Sequence, residues 1–141
     1  MKGQFKNAGI EFSYHTDLSA KFNKKQEQVV LGSPESPQIF VSIFEKGDSL
    51  NEIEESICEV FLQDDDFTLS RTRPSRMLNN LTKITGKLIR SNRSDGNFVC
   101  VEVFVVSLKS APVGIYMVYI SGGLQEKLAN QYLDGILASL K

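Results

Sequence analysis

Residues 38–47, QIFVSIFEKG, place Ile39, Val41 and Ile43 on one side of an extended chain and Phe40 and Phe44 on the other. Successive side chains of a strand point to opposite faces, so both faces of this segment are apolar. Such a strand needs cover on both sides, which the centre of a layered sheet provides. A fold for this chain must therefore set a sheet between two other layers.

Two amphipathic helices are available as that cover. In DSLNEIEESICEVFLQDDD, residues 48–66, Leu50, Ile53, Ile57, Val60 and Phe61 recur at helical spacing and predict one buried stripe. Ser49 and Glu52 have the S-x-x-E spacing of a capping box, and Asp64 to Asp66 mark the stop. The acidic residues between the apolar ones predict a solvated face. The second helix is GGLQEKLANQYLDGILASLK, with Leu124, Leu128, Tyr132, Ile136 and Leu140 on one face, widened by Leu133 and Leu137.

The remaining segments read as strands. Ile10, Phe12 and Tyr14 alternate with Glu11, Ser13 and His15, the period of a half-buried strand. DLSAKF turns into a short strand ending near Phe22, NKKQEQ is a polar hairpin end, QVVLGS is a strand and SPESP a loop. FTLSRTRPS predicts a strand with Phe67 and Leu69 inward, ended by Pro74. Residues 76–91 have a composition that permits a helix, but the alternation from Leu81 to Leu88 favours an extended strand. NRSDGN carries an Asp-Gly turn signal. FVCVEVFVVSL and VGIYMVYIS, separated by KSAP, are the last two strands.

Strands joined by short connections pair antiparallel. The expected fold is therefore α+β: a largely antiparallel sheet of about six or seven strands with helices packed on it, an α/β/α sandwich. At 141 residues the chain suits one globular domain, 1–141, with one real core. The longest apolar run, 98–108, is interrupted by Glu102 and is far short of the roughly 20 residues of a membrane span. The start, MKGQFKNAGIEF, has no apolar core of a signal peptide, so a cytoplasmic protein is the expectation, although a trimmed export signal would leave the same start. A net charge of −1 supplies no global field for nucleic acid. Cys58 and Cys100 fall on predicted buried faces and read as small hydrophobes rather than as a redox pair.

The order of these segments resembles the PsbP-like superfamily, which spans the photosystem II extrinsic subunit, the DcrB-type bacterial proteins and the Ran-binding nuclear-import factor Mog. GIEFSYHTDLSAKF is followed by PQIFVSIFE and the capped SLNEIEESICEVF. LNNLTKITGKLI, the hairpin FVCVEVFVVSLKSAPVGIYMVYIS and a helix closing on ILASLK complete the pattern across nearly the whole chain. The resemblance implies an α/β/α sandwich used as an accessory or adaptor surface without intrinsic catalysis. It implies neither photosynthesis nor Ran binding, because neither set of contact residues is matched here.

Candidate chemistry is sparse. His15 is the single histidine, and in a strand it would share a face with Asp17. A metal would need further ligands, so no metal and no cofactor is expected, and His15 reads as a hydrogen-bonded turn residue. Ser13 and Ser19 lack a nucleophile-elbow context, so no catalytic residues are assigned and the protein is not expected to be an enzyme. Asp64 to Asp66 lack calcium-loop spacing, and Gly122 and Gly123 lack a phosphate-binding motif.

The unusual feature is charge order: acidic residues greatly outnumber basic ones in 45–66, whereas from Arg71 to Arg93 every charge is basic. The basic residues Arg71, Arg73, Arg76, Lys83, Lys87 and Arg90 are the candidate contacts for a protein partner, steered by complementary potential. Without interleaved aromatics the stretch has no stacking platform for nucleic acid. The expected function is a non-catalytic accessory or adaptor module binding a protein partner through a charged face. The alternative is a carrier for a small apolar ligand or hydrophobic segment between sheet and helix, lined by Phe40, Phe44, Phe98 and Phe104.

Overall fold

Among the described residues, seven strands form one antiparallel sheet, and a separate two-stranded hairpin lies beside it. The computed structural model describes residues 2–7, 9–32, 37–64, 67–69, 82–91, 99–120 and 124–141, with the backbone alone for Lys2 and for residues 82–91 other than Ile89. In chain order the elements are β1 (Lys2–Asn7), β2 (Ile10–His15), β3 (Ser19–Asn23), β4 (Gln28–Gly32) and β5 (Gln38–Ile43). They are followed by α1 (Leu50–Leu62), β6 (Phe67–Leu69), β7 (Thr82–Ser91), β8 (Val99–Ser107), β9 (Pro112–Ile120) and α2 (Leu124–Ser139). The sheet order is β3-β4-β5-β9-β8-β7-β6, so the strand apolar on both faces, β5, is internal as its sequence requires. This is an α+β fold with helices packed on an antiparallel sheet.

The two faces of the sheet are covered unequally. On one side Val29, Leu31, Ile39, Val41, Phe104, Val113, Ile115 and Met117 are buried with α2 residues Leu133, Ile136 and Leu137. The β1–β2 hairpin extends this cover through Ile10 and Phe12, and Phe5 stacks on Phe12 and meets Phe22 of β3. On the other side α1 buries Ile53, Ile57 and Cys58 against Ile89, Val101, Val103 and Val105. Gly114 on β9 admits α1 to this close approach: a Cβ there would lie 2.7 Å from Ile57 Cδ1 and 3.0 Å from Phe44 Cε2.

Several expectations are corrected. Strand β1 has only Phe5 as an apolar anchor in the middle of KGQFKN, which hides it from a periodicity reading, yet it pairs with all of β2. Val60, expected inside, is 69 % exposed, while Glu54, expected in solvent, is 4 % exposed. The buried arc of α1 is thus rotated toward Glu54 and Cys58, because α1 packs on β6, β7, β8 and β9 rather than across the whole sheet. Leu69 is 43 % exposed on the edge strand, and Leu124, in the first turn of α2, is 70 % exposed. The predicted turn at 92–97 lies outside the described residues.

Candidate recognition face

Among the described residues, only half of the α1 side of the sheet is covered, and the boundary runs through β9. Strand register puts Val30 opposite Phe40, Phe40 opposite Tyr116, and Gln38 opposite Val118. Lys21 lies opposite Val30 on the edge strand β3. Directly opposed residues share a face, so Lys21, Val30, Phe40, Tyr116 and Val118 form one band on the α1 side. Val30, Phe40, Tyr116 and Val118 are each half-buried, whereas their sequence neighbours Val29, Ile39, Ile115 and Met117 are buried beneath α2 and the hairpin. Phe61 of α1 meets the ring of Tyr116 edge-on at 5.5 Å and marks the wall where the open area begins.

Gln28 ties the polar atoms of the band together. Gln28 Nε2 donates to Ser42 Oγ at 2.8 Å and to the Tyr116 hydroxyl at 3.2 Å. Burial raises the Tyr116 hydroxyl above its ordinary pKa, and the Gln28 hydrogen bond opposes that rise. Covering a polar group that already has its partner costs less than covering a bare one. The face is therefore apolar in its middle, internally bonded at its polar points, and cationic at its β3 rim, where Lys21, Lys24 and Lys25 are exposed.

His15 ends β2, and Asp17 lies in the following turn, so the two do not share a strand face as expected. The Asp17 backbone N–H donates to His15 Nδ1 at 3.1 Å. Asp17 Oδ2 is 3.5 Å from the same nitrogen, but a nitrogen that accepts the backbone bond has no proton for the carboxylate. The imidazole rests against the ring of Tyr132 at 5.2 Å, and the Tyr132 hydroxyl reaches toward Asp17 Oδ2 at 3.5 Å. Burial first, then the Asp17 charge, raises the Tyr132 hydroxyl pKa. The arrangement closes a turn onto α2. Among the described residues no cluster of three or more His, Cys, Asp or Glu side chains is placed to hold a metal.

A buried polar pair sits beneath α2. Glu102 of β8 and Tyr119 of β9 are both buried, and the Tyr119 hydroxyl donates to the Glu102 carboxylate. Burial, followed by the Glu102 charge, pushes that hydroxyl far above the usual tyrosine range. Cys58 and Cys100 are both buried and form no disulfide, Cys58 on the inner face of α1 and Cys100 under α2.

The sequence candidates are dispersed. Arg71, Arg73 and Arg76 lie outside the described residues. Lys83, Lys87 and Arg90 lie on β7, opposite Val106, Val103 and Cys100, with a register shift between Lys83 and Thr85. Of the four phenylalanines expected to line one pocket, Phe104 is fully buried beneath α2, while Phe40 and Phe44 lie on the α1 side and Phe98 is outside the described residues. The sheet separates Phe104 from Phe40 and Phe44, so these three do not form a common lining. Sequence reasoning missed Lys21, Gln28, Val30 and Val118. Their signal was weak, because QVVLGS has apolar residues at both parities and gives no hint which side stays open.

No protein-family model matches the chain, and no curated protein matches it. Its fold is similar to a crystal structure from Bacteroides thetaiotaomicron VPI-5482, at 13 % sequence identity and a TM-score of 0.58. The match covers 100 % of this chain and 48 % of that one, so this chain spans about half the length of the solved protein. At that identity the likeness concerns the fold. Among the described residues no helix is long and apolar enough to cross a membrane.

Proposed function

We propose that the protein is a non-catalytic accessory module that binds a protein partner through the open half of its sheet. The observation that carries this reading is the half-buried band of Val30, Phe40, Tyr116 and Val118 beside exposed Lys21 of β3 and Lys24 and Lys25 of the turn that follows it. A contiguous apolar patch rimmed by charge is what an interaction surface looks like. The PsbP-like resemblance, whose sandwich serves as an accessory surface, agrees with the same reading. The basic residues Arg71, Arg73, Arg76, Lys83, Lys87 and Arg90 form a second, purely electrostatic element of the proposal, acting on encounter rate rather than on the seated contact.

The test is affinity purification from the native cell with three baits: the unaltered chain, Phe40→Glu, and Arg71→Glu/Arg73→Glu/Arg76→Glu. The expected result is a partner retained by the unaltered chain, lost with Phe40→Glu and weakened in a salt-dependent way by the arginine reversals. Full retention by Phe40→Glu, with a native circular dichroism spectrum, overturns the assignment of this face.

A further inference from the structure

We infer that the open half-sheet is filled by α1 of a second copy of this chain, each protomer covering the other. This inference rests on reading that half-sheet as a recognition surface and names its occupant.

Shape comes first. Strands lie about 4.8 Å apart, so the width from β3 to β9 that the described residues leave uncovered is roughly 14 Å, close to the 10–12 Å diameter of one helix. The open strip lies beside α1, which already stands as half of a helical layer on this side. A flat partner surface would be held off by α1, whereas a helix laid parallel to it would complete the layer. A two-fold axis lying within that layer supplies such a helix. It turns the second copy over so that its α1 falls on the first copy's β3, β4 and β5, and the reverse holds by symmetry.

Chemistry then agrees with shape. The rim at β3 carries Lys21, Lys24 and Lys25, all exposed. The outward arc of α1 carries Glu52, Glu55 and Glu59, all exposed, so each protomer holds the complement of its own rim. The same helix carries Val60, 69 % exposed, on one flank of that acidic arc and Leu62, 36 % exposed, on the other, so apolar side chains border the carboxylates where the helix would meet Val30, Phe40 and Val118. Gln28 Nε2 already gives its protons to Ser42 Oγ and the Tyr116 hydroxyl, so the two hydroxyl protons are what the incoming helix must accept, and carboxylates on its outward arc are acceptors.

Sedimentation equilibrium of the full chain tests this, with circular dichroism confirming that each variant is folded. The expected mass is that of two 15.8 kDa chains, with dissociation favoured by added salt. Lys21→Glu/Lys24→Glu/Lys25→Glu and Glu52→Lys/Glu55→Lys/Glu59→Lys should each weaken the dimer about tenfold or more, and mixing the two variants should restore a mixed dimer. These substitutions are at exposed positions and leave both cores untouched. A single 15.8 kDa species up to about 1 mM overturns the inference. So does a dimer that ignores both charge reversals and Phe40→Glu. A monomer whose Phe40→Glu variant still loses its cellular partner overturns the self-pairing and leaves the recognition face standing. A monomer whose Phe40→Glu variant keeps every partner removes both.

Discussion

The ring of Phe40 on β5 stacks on the ring of Tyr116 on β9, with centroids 4.5 Å apart and planes 11° from parallel. The pair spans the junction between the covered and open halves of the sheet, so solvent reaches one side of the stack. Phe104, one strand beyond β9, is fully buried on the opposite side. Phe40→Ala should cost about 1–2 kcal/mol, since it removes a half-wet stack. Phe104→Ala should cost about 3–5 kcal/mol, since it leaves a cavity in a closed core. Urea denaturation of the two variants measures the difference, and equal losses would contradict an open face at Phe40.

Gly114 permits α1 to sit close to β9, and the space it leaves is occupied by Ile57 and Phe44. Gly114→Val should destabilise by about 1–3 kcal/mol through overpacking. Shortening the obstructing side chain in Gly114→Val/Ile57→Val should recover part of that loss. A double-mutant cycle with no coupling between the two sites would show that the glycine serves some other purpose.

The layered plan was legible because it follows from alternation: β5 needed cover on both faces, and two amphipathic helices were there to give it. The unequal extent of that cover was not legible. Phe40 and Val30 have the apolar character of core residues, and only the strand order, with β5 beside β9 and α1 beyond, leaves them half wet. The same placement explains Val60 and Glu54, whose burial is exchanged relative to the helical stripe. His15 and Tyr132 meet across 117 positions of chain, a contact that no local pattern encodes, although the reading of His15 as a turn residue needed only its neighbour Asp17.

Tyr116, Tyr119 and Tyr132 each hold the hydroxyl proton more tightly than an ordinary tyrosine, chiefly through burial. Their folded-state pKa values lie above those of the unfolded chain. The unfolded chain therefore releases these protons first, as pH passes about 10, and binds fewer of them than the folded state. Their contribution to stability is fully present below that pH and is lost as pH rises. The urea midpoint should fall above about pH 10, and less steeply in Tyr119→Phe, which removes the most strongly raised group. Identical alkaline slopes for the two proteins would show that Tyr119 is not protected in the folded state.

Ser139, in the last turn of α2, joins the hairpin to the helix. The Ser13 backbone N–H donates to Ser139 Oγ at 2.7 Å, and the hydroxyl proton has carbonyl acceptors at Ser13, Gly135 and Ile136 between 3.0 and 3.2 Å. Two residues on, Glu11 and Lys141 exchange backbone bonds at 3.2 and 2.9 Å, so the chain leaving α2 runs as a short ladder along β2. Removing the hydroxyl strips the Ser13 N–H of its acceptor in a partly buried seam, a loss of about 1–2 kcal/mol. Ser139→Ala should therefore lower stability by that amount and speed amide exchange at Ser13 more than at Val103, deep in β8. Uniform acceleration across both strands would mean that the hairpin opens only with the whole domain. Selective acceleration at Ser13 would identify the β1–β2 hairpin as the layer that detaches first, which follows from its attachment: an aromatic cluster around Phe5 and Phe12, the His15–Tyr132 contact, a hydrogen bond from Ser110 to Gly9 and this seam to α2, with no ladder to the seven-stranded sheet among the described residues.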